Sequence, residues 1–173
     1  MKTALRLAAI AATVAIAAPA LAQDAATTTT IAAPAGDFAP IKTKSGTIAA
    51  APADKAQVVF WRPGTLIGGA MGCTVREGEG AQEVQVARLG AGKYAVLFAE
   101  PGKHVFWTTG EATDRMTMEL EAGETYFVRC SIGMGFMSGR AQVSPSDRDA
   151  FAKKAKGMKQ WVKKEGGDDA DAK

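Results

Sequence analysis

The stretch Gly123–Arg140 reads GETYFVRCSIGMGFMSGR. Its first half, Thr125-Tyr126-Phe127-Val128-Arg129, is the most strand-like run in the chain, because β-branched and aromatic side chains fit a pleated, half-buried surface. Cys130 follows directly, and Gly133, Gly135 and Gly139 then space out Met134, Phe136 and Met137 in a loop. A strong strand running into a glycine-rich loop gives a small β domain both a core element and a surface for contact.

Working outward, Gln57-Val58-Val59-Phe60-Trp61 reads as a buried strand. It is stopped by Arg62-Pro63-Gly64, since proline withholds a backbone donor and glycine permits the turn. Leu66–Val75 is a small-residue segment, read as a weak strand or bulge, and Glu77–Gly80 is a turn. Glu83–Leu89 alternates polar and apolar, with Val84, Val86 and Leu89 expected inward. Tyr94–Phe98 and His104–Thr108 follow the turns Gly90–Gly92 and Pro101-Gly102. Arg115–Leu120 puts Met116, Met118 and Leu120 on one face, and Arg140–Val143 closes the set.

Short strands separated by turn residues, with no helices alternating between them, describe an antiparallel sandwich or barrel rather than a parallel α/β sheet. The expected fold is therefore mainly β: a single antiparallel β-sandwich of about 7–8 strands over 55–144, then a C-terminal amphipathic helix over 145–165. Ser144 or Ser146 offers the helix N-cap. Phe151, Ala155, Met158 and Val162 (or Trp161) form an apolar stripe at helical spacing. Lys153, Lys154, Lys156, Lys159, Lys163 and Lys164 fall on the other face. A lysine face is ordinarily just solvated. The second reading is contact with an anionic surface, since clustered lysines attract acidic lipid by about 1 kcal/mol each. That reading needs Phe151 and Trp161 undocked.

The chain opens with the basic Met1–Arg6, an apolar run Leu7–Ala18, Pro19, and the A-x-A pattern Ala20-Leu21-Ala22. This order is that of a signal peptide over 1–22, too short and alanine-rich for a membrane span, with no cysteine at the cut to carry a lipid. The mature protein is expected to be soluble and periplasmic or secreted. Cleavage would remove Lys2 and Arg6 and no acid, taking the formal charge from +3 to +3 − 2 = +1. A near-neutral exported protein gives no argument for nucleic acid as a partner. Residues 23–54 are rich in Ala, Thr and Pro and read as a flexible linker. Residues 166–173 read as an acidic disordered tail.

The chemistry-bearing residues are few. His104 is the only histidine, and nothing in the sequence orients it as a base, so a rim histidine with a satisfied hydrogen bond is the favoured reading. Glu111 and Asp114 lie together in a loop, where carboxylates are ordinarily solvated. Gly133–Gly139 lacks the Lys-Ser/Thr ending of a phosphate-binding loop and precedes a strand instead of a helix. The favoured reading is a bend whose Phe136 and Met137 tuck under the sandwich end; the sharper one is an apolar contact tip formed by Met134, Phe136 and Met137. Cys73 and Cys130 suit a disulfide in an oxidising compartment, or two separate buried thiols. No catalytic set, metal-ligand spacing or cofactor motif is present.

Val58–Pro63 with Gly68-Gly69, Gly92-Lys93-Tyr94, Glu100–His104, Leu120–Arg129 and Gly133–Arg140 occur in that order. Together they resemble a bacterial exported domain-of-unknown-function family, similar to a prealbumin-type or PEGA-like β-sandwich and often found in envelope lipoproteins. The resemblance spans about 55–143 and implies a sandwich in the cell envelope, with no catalytic residues to carry over. Many relatives have a lipobox cysteine where this chain has an A-x-A site. The function expected is a non-enzymatic envelope module binding another envelope protein or polymer. Peripheral membrane contact through the basic helix is the alternative, and an unrecognised enzyme the remote one.

Overall fold

The computed structural model describes residues 32–33, 38–65, 69–136 and 139–163. The expected signal peptide, the acidic tail, Met137 and Lys164 lie outside them.

In chain order the strands are β1 (Ala32–Ala33), β2 (Ile41–Lys42), β3 (Thr47–Ile48), β4 (Ala56–Arg62), β5 (Cys73–Glu77), β6 (Val84–Leu89), β7 (Lys93–Ala99), β8 (Gly102–Thr108), β9 (Asp114–Leu120), β10 (Thr125–Met134) and β11 (Gly139–Ser146). Helix α1 (Arg148–Ala155) and the short strand β12 (Lys159–Gln160) complete the described chain. One sheet runs β1–β10–β4–β7–β12, with β11 also paired to β10; the other runs β6–β5–β8–β9. The fold is mainly β, as the turn-punctuated strands predict. Val58, Phe60, Tyr126 and Val128 of the first sheet share one core with Val75, Leu89, Phe106 and Met118 of the second.

The first sheet is mixed, not antiparallel throughout. β10 runs parallel to β4, and β12 parallel to β7. A parallel pair needs a long crossover, and here the crossover from β4 to β10 carries the whole second sheet.

All seven residues of β4 are buried, which explains its nearly continuous apolar sequence. One face meets the second sheet. The other meets a layer built from α1 and the β2–β3 hairpin, where Val59, Trp61, Tyr94 and Phe127 pack with Ile41, Ile48, Phe151 and Met158. The composition of 23–54 predicts a linker, yet from Phe38 onward the chain is part of this layer. Phe38 stacks on Phe127 at 6.4 Å, Thr43 Oγ1 and the Tyr94 hydroxyl share a hydrogen bond of 2.9 Å, and the Gln57 amide donates to the Ala49 carbonyl at 3.1 Å. Three large apolar side chains in polar surroundings suffice because the sheet already presents an apolar face to receive them.

The helix is shorter than its apolar stripe suggests. Ser144 and Ser146 both belong to β11, and the N-cap is Asp147, whose carboxylate accepts from the Ala150 N–H at 2.7 Å. After Ala155 the chain turns through Lys156-Gly157 and returns as β12 beside β7. Val162 is consequently exposed instead of continuing the stripe.

β6 also departs from simple alternation. The register with β5 shifts between Val75↔Ala87 and Arg76↔Gln85, so Val86 is the extra residue of a bulge. The bulge flips the inward phase: Ala87 and Leu89 are buried while Val84 is exposed.

Tyr126 faces the inter-sheet core, and its hydroxyl accepts from the Glu121 N–H at 2.9 Å. Burial pushes its phenol above the ordinary value of 10.0. The unfolded chain then ionises first, so the stabilisation is complete below that ordinary value and is lost as pH rises through the folded one. Tyr126→Phe should cost about 1 kcal/mol at neutral pH, for the lost acceptor, and should flatten the alkaline decline of the urea midpoint. An unchanged alkaline decline would remove Tyr126 as its source.

Candidate functional site

β4, β6, β8 and β10 end, and β5, β7, β9 and β11 begin, at one end of the sandwich. The sequence marks this end only by Arg62-Pro63-Gly64 and clustered glycines, but a buried cation organises it. Arg62 closes β4 with its side chain inside, and its guanidinium donates to the carbonyls of Met71 and, at 3.2 Å, of Leu89. Burial lowers its pKa from the usual guanidinium value, and a guanidinium stays charged at any physiological pH. Satisfying loop carbonyls with a buried guanidinium pins the β4–β5 connection onto β6. Beside it opens a cavity of about 240 Å³, lined by Met71, Gly72, Arg88, Gly90 and Trp161 among others.

The β10–β11 hairpin projects from the same end, with Gly133 paired to Arg140 and Met134 to Gly139. Met134 is 91% exposed and Phe136 is 98% exposed. Phe136 does not adopt the tucked arrangement that the sequence favours. The Met71 thioether and the Ile132 side chain already occupy the space over Gly139, where a Cβ would lie 2.6 Å from the Met71 sulfur and 2.7 Å from an Ile132 methyl.

The tip is nevertheless held. The Glu111 carboxylate accepts from the Phe136 N–H at 2.7 Å, and the Asp114 carboxylate accepts from the Val143 N–H at 2.8 Å. A Cβ on Gly110 would lie 3.1 Å from the Gly139 carbonyl oxygen, so the β8–β9 turn lies directly against the hairpin. The two loop carboxylates are backbone acceptors that fasten one hairpin to another, a use different from paired acid and base.

The remaining predicted residues are dispersed. His104 lies at the opposite end. Its Nδ1 is 2.5 Å from a Glu77 carboxylate oxygen, its Nε2 is 2.8 Å from the Glu100 carbonyl, and its ring stacks on Phe106. Both nitrogens are engaged with protein acceptors. Cys73 and Cys130 are buried, one in each sheet, with Cα atoms 6.5 Å apart and sulfurs at disulfide distance.

Lys153 and Lys154 sit on α1 and Lys156 just past it, all exposed. Lys159 belongs to β12 and Lys163 lies beyond it, so the predicted lysine residues do not share one helix face. Phe151 is 0% exposed and Met158 is buried, which leaves the helix no free apolar side.

Arg62, Met71 and the anchoring role of Glu111 have no local signature. Each depends on a carbonyl, glycine or amide supplied by another part of the chain. The one usable hint was Gly139, whose lack of a side chain admits Met71. No family model, no curated protein and no solved structure matches this chain.

Proposed function

We propose that the protein is an exported, non-enzymatic binding module of the cell envelope that makes contact through the β10–β11 tip. The observation that carries this is the near-complete exposure of Met134 and Phe136 on a hairpin that two other loops hold in place. Large apolar side chains presented on a braced support are a surface arranged for contact. The signal-like segment 1–22 supports export, and the resemblance to exported envelope domains over 55–143 supports the address. An oxidising compartment suits a Cys73–Cys130 bridge. The engagement of both His104 nitrogens speaks for a structural histidine and against a general base. The reading that uses the basic helix loses support, because it needs an apolar side that Phe151 and Met158 give to the core.

A photo-crosslinking residue placed at position 136, with one at the exposed position 121 as control, tests this reading in intact cells. Adducts are expected at 136 and absent at 121. Adducts at neither position, or equally at both, would refute contact through the tip.

A further inference from the structure

We propose that what the tip meets is the surface of a phospholipid bilayer carrying anionic headgroups. This rests on the contact reading above and names its partner.

The shape of the tip argues first. Small-molecule sites are concave, whereas Met134 and Phe136 stand almost fully exposed at and just beyond the last β10–β11 pair. A specific protein interface needs about 800 Å² from each partner. Among the described residues, the apolar part of this tip is two exposed side chains, joined by the partly exposed Met71. Large apolar side chains exposed in this way match a soft receiving phase, into whose headgroup boundary apolar side chains sink by about 5–10 Å.

Backbone chemistry argues second. Lowering a turn into a less polar layer penalises bare amides. The Phe136 N–H already has an acceptor in Glu111, so the most exposed aromatic is carried on an amide whose bond travels with it.

Charge argues third. Arg88, Lys93 and Arg140 lie at the strand ends nearest the tip, exposed or partly exposed, with Glu111 and Asp114 bound to backbone amides between them. At the opposite end lie Glu77, paired with His104, Glu79, paired with Arg115, Glu100, paired with Lys55, and Glu119, Glu121 and Glu124, with Lys103 the other cation there. The strands thus run from a basic end to an acidic end. In the field of a negative surface this separation turns the tip inward and the carboxylates away, and each basic residue near the surface adds attraction.

The test uses the processed protein recovered after export and its variants, all with the same N-terminus, so that the comparison isolates the tip. Sedimentation is measured with large vesicles of phosphatidylcholine alone and of phosphatidylcholine mixed with phosphatidylglycerol. Binding is expected to the mixed vesicles and to weaken with salt. The double variant Met134→Ser, Phe136→Ser should bind about tenfold more weakly or worse while melting at the same temperature. In Phe136→Trp, the fluorescence should shift to shorter wavelength on adding mixed vesicles. No binding to mixed vesicles, or equal binding by the double variant, overturns the lipid assignment. If that happens while position 136 still crosslinks to a protein in cells, the contact reading stands and only the bilayer falls. If position 136 also captures nothing, both fall.

Discussion

Phe151→Ala is expected to lower the free energy of unfolding by about 3–5 kcal/mol, the range for removing a fully buried aromatic ring. Its ring lies 5.8 Å from Trp61, 5.7 Å from Tyr94 and 5.5 Å from Phe127, the first two edge-on. Its ring reaches three strands of the sheet, β4, β7 and β10. Alanine would leave a cavity that those rings cannot fill without leaving their own strands. The damage should spread to the β2–β3 hairpin, whose Ile41 and Ile48 share this core, while the inter-sheet core stays intact. Urea unfolding gives the size of the loss. Limited proteolysis should reveal new cuts around 41–48 and 156–163 at urea concentrations where the wild type resists. The exposed Val162→Ser should change stability by less than about 0.5 kcal/mol. A Phe151→Ala loss no larger than that of Val162→Ser would mean that the helix is not docked as described.

The second large effect belongs to the cysteines. A bond between Cys73 and Cys130 closes a loop with a sequence separation of 57, worth about 4 kcal/mol in the chain-entropy account. It would also tie the first residue of β5 to β10, joining the two sheets near the end that carries the tip. Cys73→Ala with Cys130→Ala should therefore melt well below the wild type, and reductant should lower the wild type towards the double variant without affecting the variant. Two thiols that label fully after denaturation without reductant would exclude the bond.

How far these features were legible depends on whether the deciding neighbour is local. Most strands between 56 and 146 were legible because they carry an apolar run or an alternation and a Gly or Pro stop, whereas the two-residue β1, β2, β3 and β12 carry neither. The runs Gln57–Trp61 and Thr125–Arg129, the strongest of these, are indeed adjacent strands in the middle of one sheet. Their parallel direction was not legible, since nothing within either run encodes the other's orientation. Val86 looks inward by simple alternation, and only the partner strand shows it to be the bulged residue. Ile41 and Ile48 look like stray apolar residues of a linker until the face that receives them exists. The same holds at the tip. Met134 and Phe136 were visible as a contact candidate, but the packing of Met71, a residue from another loop, against Gly139 was not.

The adjacency of β4 and β10 has a further consequence, for the time course of folding. Gln57 cannot find Thr125 until the chain between them has emerged, so the middle of the first sheet forms only when most of the polypeptide is available. Until then Val59, Phe60 and Trp61 have β7 as a partner on one side and nothing on the other. Topologies dominated by such distant pairings fold slowly and expose sticky intermediates. For a chain proposed to leave the cell interior, that delay is useful: the N-terminal portion stays loose enough to be threaded across a membrane while its last central strand is still being synthesised. The corresponding cost is a period of vulnerability to aggregation, which ends when Tyr126 and Val128 enter the core.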